Sequence, residues 1–197
     1  MKNSNMLLQQ LPTKIKGKKI RYDFRVMIAY ERILKNKALS EAEKIKQAIA
    51  LFFIDMPQSL EEAIEGLNWF YQCGKEKKDR GRQNNAPAYD FYSDDSMIYA
   101  AFYQDYGIKL DEAPLHWWAF SAMLEGLSEN TLFKTAVKYR VADTSNMPPQ
   151  MKEHYRKCKE IFAIERKEKP LTREQNFIQF VEQMRKRMEE AQKGGEQ

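Results

Sequence analysis

The residue types best suited to metal ligation or nucleophilic catalysis are few: His116, His154, Cys73 and Cys158. Their spacing assembles none of the usual centres. The sequence has no HExxH, no CxxC and no cluster of His and Cys, which argues against a zinc or iron site. GxxxxGK[ST] and GxGxxG are missing too, so neither of those nucleotide-phosphate loops is present. His116 stands between Leu115 and the pair Trp117-Trp118, the setting of a hydrogen-bonded structural imidazole rather than a catalytic base. His154 lies among Lys and Arg and reads as exposed. Asp90, Asp94 and Asp95 resemble a loose set of cation ligands, but the Gly and terminal Glu of an EF-hand loop are absent and helix capping accounts for at least two of the three. Nothing selects a glycosidase-like pair from the many carboxylates. The expectation is a protein without catalytic, cofactor-binding or metal residues, and not an enzyme.

The more telling group is phenolic. Tyr99, Tyr103 and Tyr106 recur three or four residues apart and so line one side of a helix. Tyr is favoured at protein interfaces, which makes these three the candidate partner-binding residues; the alternative is that they complete a wide core.

These tyrosines belong to the stretch from Tyr89 to Leu127, which also holds Trp117 and Trp118. It predicts two helices hinged at Gly107, a residue suited to the left-handed position after a helix. Ser93 is the expected N-cap of the first and Pro114 the opening residue of the second. In the second, Trp117, Phe120, Leu124 and Leu127 form one apolar stripe, and Leu115, Trp118 and Ala122 form another. A helix so broadly apolar is buried, which places both Trp residues in the core.

The flanks supply the supporting elements. Leu11 to Arg21 predicts a small β-hairpin turning at Gly17 with Ile15 and Ile20 paired across it, in preference to a basic arm gripping phosphates. Asp23 caps a helix whose buried face is Phe24, Met27, Ile28 and Leu34. Ser40 with Glu43 and Ser59 with Glu62 have capping-box spacing. The helices they open carry the stripes Ala42, Ile45, Ile49, Phe52, Phe53 and Leu60, Ala63, Ile64, Leu67, Tyr71, the last stopping near Gly74. Residues 75–88, with Lys75, Lys77, Lys78, Arg80, Arg82, Gly81 and Pro87, predict a solvated linker. Ser128 is the expected cap of a helix running to about Tyr139, with Leu132, Phe133, Ala136 and Val137 inward. After a break at 142–149 come two polar helices, one with the thin stripe Met151, Tyr155, Cys158, Phe162 and one with Phe177, Val181, Met184, Met188 at coiled-coil-like spacing. The fold class is therefore mainly α, a multi-helix domain over 1–145 with an N-terminal β-hairpin, followed by a helical extension over 146–197.

The chain of 197 residues suffices for one well-buried domain. With 43% hydrophobic and 31% charged residues and a mean hydropathy of −0.72, it predicts a soluble protein. It shows no membrane span and no secretory signal core, and the unpaired spacing of its cysteines fits a cytoplasmic setting. The net charge of +5 is segregated. Residues 1–86 carry +7, residues 87–129 carry −7 and residues 130–197 carry +5. An acidic middle between basic flanks suits protein recognition or self-association at least as well as phosphate binding.

Residue order adds a resemblance. The run YDF, an acidic pair, IYAAFYQDYGIKL, LHWW, Phe120 and LEGL followed by Ser128-Glu129 resembles a family of small phage proteins. These are encoded beside the tail tape-measure gene in long-tailed, non-contractile phages of Gram-positive bacteria and act as tail assembly chaperones. The Ile-rich hairpin and Tyr22-Asp23-Phe24-Arg25 extend the likeness, which spans about residues 11–140. It implies an interaction protein in the cytoplasm of the bacterial host, with the phage tape-measure protein as partner and no cofactor. The tail tube protein is the other partner it suggests, and the charge segregation would let copies of the chain align acidic middle to basic flank. The competing reading is a nucleic-acid-binding phage regulator, from pI 9.0 and short helices that could hide a helix-turn-helix. Against it, the first 140 residues contain no recognition helix dense in Arg, Asn and Gln.

Overall fold

Lys16 and Gly17 both take positive φ, 46° and 81°. Two successive left-handed residues reverse a chain with the twist that strands prefer. In the computed structural model, which describes residues 5–75 and 88–164, they join β1 (Lys14–Ile15) to β2 (Lys18–Lys19) in an antiparallel hairpin. The register differs from the symmetric one. Lys14 faces Lys19 and Ile15 faces Lys18, while Ile20 lies beyond the ladder and bridges to Phe53. Both isoleucines are buried, Ile15 close to Gly66 and Ile20 beside Phe53. Gly66 explains how closely: an added Cβ there would lie 2.9 Å from Ile15 Cγ2.

Seven helices follow among the described residues, so the chain is mainly α. The first three are α1 (Phe24–Lys35), α2 (Glu41–Phe52) and α3 (Leu60–Tyr71). Asp23 caps α1 by accepting from Arg25 N at 2.9 Å. Ser40 and Glu43 complete a capping box on α2. At α3 the box is half formed: Ser59 accepts from Glu62 N, but the Glu62 carboxylate accepts from Gln58 N instead of the cap residue. The buried faces also shift from those expected. Val26, Met27, Ala29 and Tyr30 line α1 with Phe24, whereas Leu34 is exposed. On α3 the inward residues are Ala63, Gly66, Leu67 and Phe70, and Leu60 is exposed.

The second group is α4 (Asp95–Tyr106), α5 (Trp117–Glu125), α6 (Leu132–Val141) and α7 (Pro149–Ile161). α5 joins the two groups. The Phe120 ring lies between Phe24 of α1, at 4.4 Å, and Phe102 of α4, at 5.0 Å, both within 13° of parallel. Trp117 and Trp118 are buried, and each indole N–H finds a carbonyl at the end of α3: Trp117 Nε1 donates to Tyr71 O at 3.0 Å and Trp118 Nε1 to Phe70 O at 2.8 Å. A buried indole N–H usually needs an acceptor, and these two bonds tie α5 to the end of α3.

Three helix starts are corrected. α5 opens at His116, not Pro114. Its Nδ1 accepts from Trp118 N at 3.0 Å, so Nε2 carries the proton and donates to Pro12 O at 3.1 Å. α6 opens at Thr131, whose hydroxyl accepts from Lys134 N. Ser128 instead binds the Asp105 carboxylate through its N–H at 2.7 Å and its hydroxyl at 3.0 Å. On α6, Phe133 and Ala136 are buried while Leu132 is exposed. α4 opens at Asp94, not Ser93, and the Asp94 side chain makes no cap bond. The Phe177, Val181, Met184 and Met188 stripe and residues 76–87 of the linker lie outside the described residues.

His116 gives the fold a pH dependence. Burial pushes its pKa below the usual histidine value, partly opposed by the bond to Pro12. Protonation would place a hydrogen on the Nδ1 that must accept from Trp118. The unfolded chain binds this proton with a pKa of about 6.5 and the folded chain binds it less readily. Its contribution is therefore complete above that pH and is lost as pH falls below it. Denaturant midpoints measured across this range will fall in the wild type and fall less in His116→Asn, which keeps a capping acceptor without the titration. Equal slopes would remove His116 from the account.

Candidate functional site

The phenolic face starts from how α4 is held. Asp94 is buried, and its carboxylate receives both arms of the Arg140 guanidinium, NH1 at 2.7 Å and NH2 at 2.8 Å. It also accepts from Asp90 N at 2.9 Å. Arg140 further donates to Ala88 O and, through Nε, to Phe162 O. One guanidinium thus ties the entry to α4, the end of α6 and the residue after α7. Asp90 organises the turn before it, accepting from Tyr92 N and Ser93 N and pairing with Lys35 of α1 at 3.0 Å. These bonds hold the Asp90 carboxyl below its usual pKa against the opposing effect of burial. The Asp90 and Asp94 carboxylates are thus engaged with Lys35, Arg140 and backbone N–H groups, which is more than simple helix capping. Among the described residues no group of three His, Cys, Asp or Glu could hold a metal ion.

With α4 so placed, Ile98, Ala101 and Phe102 point inward and Tyr99, Tyr103 and Tyr106 point outward. The structure brings the three tyrosines onto one face. Their hydroxyls differ. Tyr99 donates to Asp111 Oδ1 at 2.9 Å, which raises the pKa of the phenol and lowers that of the carboxyl. Tyr106 donates to Met123 O at 2.9 Å and meets the Phe102 ring edge-on. Tyr103 is the most exposed, at 56%. Two anchored rings therefore frame a third that projects to solvent. The face has the chemistry of an amphipathic contact surface: aromatic carbon with hydroxyls and an acidic rim of Asp95, Asp111 and Glu112.

Two arginines counted with the basic flank also turn inward. Arg21 NH1 donates to the carbonyls of Ala50, Leu51 and Phe53 at the end of α2. Arg25 pairs with Asp23 at 2.9 Å and donates to the carbonyls of Leu110, Asp111 and Ala113. Neither role was visible in the sequence, because the acceptors are backbone groups about 30 and 90 residues away. At the end of α2 the helix dipole and the orphan carbonyls favour the Arg21 cation, whereas Arg25 serves the carbonyls of the connection between α4 and α5. Both charges are thereby engaged with the fold.

His154, Cys158 and Tyr139 meet where α7 packs on α6, with Nε2 of His154 3.6 Å from Cys158 Sγ and 3.4 Å from the Tyr139 hydroxyl. Tyr139 stacks on Phe162 at 5.9 Å, and Lys159 donates to Ala142 O. Cys73 and Cys158 are free thiols. No helix among the described residues is long and apolar enough to cross a membrane.

No curated protein and no solved structure matches the chain. The model of the family described as Bacteriophage Gp15 protein matches residues 7–164, a span that takes in the hairpin and all seven helices. The chain belongs to the bacteriophage Gp15 protein family.

Proposed function

We propose that the chain is a tail assembly chaperone that binds the tape-measure protein of its phage and keeps it soluble during tail morphogenesis. The reading rests on the residue order from Tyr89 to Leu127, and membership of a phage protein family is consistent with it. A tape-measure protein is long, helical and apolar, and needs cover until the tail tube encloses it. The Tyr99, Tyr103 and Tyr106 face is the surface assigned to that client. Tyr offers large contact area with few rotors to freeze, and the projecting Tyr103 ring can enter the apolar stripe of a client helix. The chaperone would act in the host cytoplasm as a binding protein without cofactor, and release its client as tail tube subunits polymerise.

The second reading, a nucleic-acid-binding regulator, is favoured by one observation: the hairpin presents Lys14, Lys16, Lys18 and Lys19 within six residues. Against it, Arg21 and Arg25 are engaged with backbone carbonyls rather than offered to phosphate.

Co-expression with an apolar helical fragment of the tape-measure protein will raise the soluble yield of that fragment. Binding will persist as salt is raised, whereas phosphate-driven binding falls steeply. Tyr103→Ser will weaken client binding about tenfold or more, in the range of an interface anchor, with little change in melting temperature. A chain that ignores the fragment but binds duplex DNA with a steep salt slope overturns the chaperone in favour of the regulator.

A further inference from the structure

The turn between α2 and α3 carries a second apolar patch. Ile54, Met56 and Leu60 are 50%, 60% and 58% exposed within seven residues of chain. The turn is held rigidly against the hairpin: Ile54 N and Asp55 N both donate to Lys19 O, and Lys19 N donates to Asp55 Oδ2 at 3.1 Å. The knob therefore has a basic side. Lys16 is neutralised there by Glu65 at 3.4 Å and Glu62 at 4.0 Å. Lys14, Lys18 and Lys19 have no carboxylate within ion-pairing distance among the described residues, and Lys14 and Lys19 stand directly opposite each other across the strands. Like charges so placed repel, and a negative partner relieves them.

The tyrosine face of α4 has the complementary character. It is aromatic at its centre and acidic at its rim, with Asp95, Asp111 and Glu112; the cations beside them are already paired, Lys109 with Glu112 at 3.2 Å and Arg25, which reaches the Asp111 carbonyl, with Asp23 at 2.9 Å. Asp111 accepts from Tyr99 and, among the described residues, has no side-chain cation bound to it, so its exposed carboxylate can take a further donor. From these two surfaces we infer that the occupant of the knob is a second copy of this chain: Ile54, Met56 and Leu60 of one copy seat on Tyr99, Tyr103 and Tyr106 of the next, with the hairpin lysines over the α4 acids. Such a contact joins unlike surfaces and leaves one of each free at the ends, so it propagates into rings or open chains. Nucleic acid satisfies the lysines but has no use for three exposed apolar side chains beside them; a protein surface satisfies both. The flexible Met56 suits a contact with planar rings. The inference is independent of the client, although on the proposed function client and neighbouring copy compete for the same tyrosine face.

The test uses the purified full-length chain alone, so its failure leaves the client reading intact. Sedimentation velocity will show the wild type growing beyond a monomer as concentration rises, and shrinking as salt is raised. Met56→Asp sets an acid against the acidic rim, and Tyr103→Lys sets a cation against the hairpin lysines. Both side chains are exposed, so both variants will keep the wild-type melting curve, and each alone will lose association by about tenfold or more, as an interface anchor does. Mixed together they will form a 1:1 dimer, because each retains the surface that the other lacks. A wild type that stays monomeric at every concentration overturns the inference, as does a mixture that fails to pair. Hairpin lysines that bind duplex DNA with a steep salt slope, undisturbed by Met56→Asp, in a chain that does not self-associate would reassign that side to nucleic acid.

Discussion

Trp118→Ala will destabilise the protein by roughly 3–5 kcal/mol, the range for removing a large aromatic side chain from a packed core. Trp118 is fully buried, its indole donates to Phe70 O, and its ring meets Trp69 edge-on at 5.1 Å. The substitution leaves a cavity between α3 and α5 and removes one of the two donors to Phe70 O, Cys73 N being the other. Trp118→Phe restores much of the volume but not the N–H, so it will fall between Ala and wild type. Chemical denaturation of the three proteins reads both effects, and an Ala variant within 1 kcal/mol of wild type, far less than cavity creation costs, would overturn the placement of α5. Because Phe120, two residues on, is stacked between α1 and α4, loss of this seat will also loosen α4.

The second large effect lies at Asp94 and Arg140. Both side chains are nearly inaccessible, and removing one member of a buried pair strands the other, at roughly 3–5 kcal/mol. Asp94→Ala will show this loss. Arg140→Met will cost at least as much, since Ala88 O and Phe162 O also lose their donor. The double variant Asp94→Ala/Arg140→Met will be less destabilised than the sum of the two, because no charge is left unpaired. Strict additivity in this cycle would mean that the two groups do not interact. Hydrogen exchange supplies a second readout: Arg140→Met will speed exchange at Phe162 N, which donates to Cys158 O at the end of α7, before the core opens.

Much of this was legible beforehand, for one physical reason. A turn or cap is decided by residues within four positions of one another, so Gly17, Asp23, Ser40, Ser59 and Gly107 announced their roles in the sequence itself. Helical periodicity likewise exposed the apolar breadth of α5 and put both Trp residues inside. The same spacing gathered Tyr99, Tyr103 and Tyr106 on one face of α4, which needs only the 3.6-residue turn.

Where the sequence misled, a distant partner outbid the local one. Ser93 and Ser128 are good cap residues, but Asp94 is drawn to Arg140, 46 positions away, and Ser128 to Asp105, 23 positions away. The helices begin where those bonds allow. Leu34, Leu60 and Leu132 fit apolar stripes and end exposed, because a stripe only says which residues share a face, and neighbouring helices decide how much of it they cover. His116 was correctly read as structural, yet its role as the cap of α5 depends on Pro12 reaching its other nitrogen across more than a hundred residues. The sequence by itself determined the elements, their order and the tyrosine face, since these follow from short-range sterics and hydrogen bonding. Only the tertiary structure decided which charges are buried, which tyrosine projects and where a second apolar patch lies, because those are properties of side chains brought together by packing.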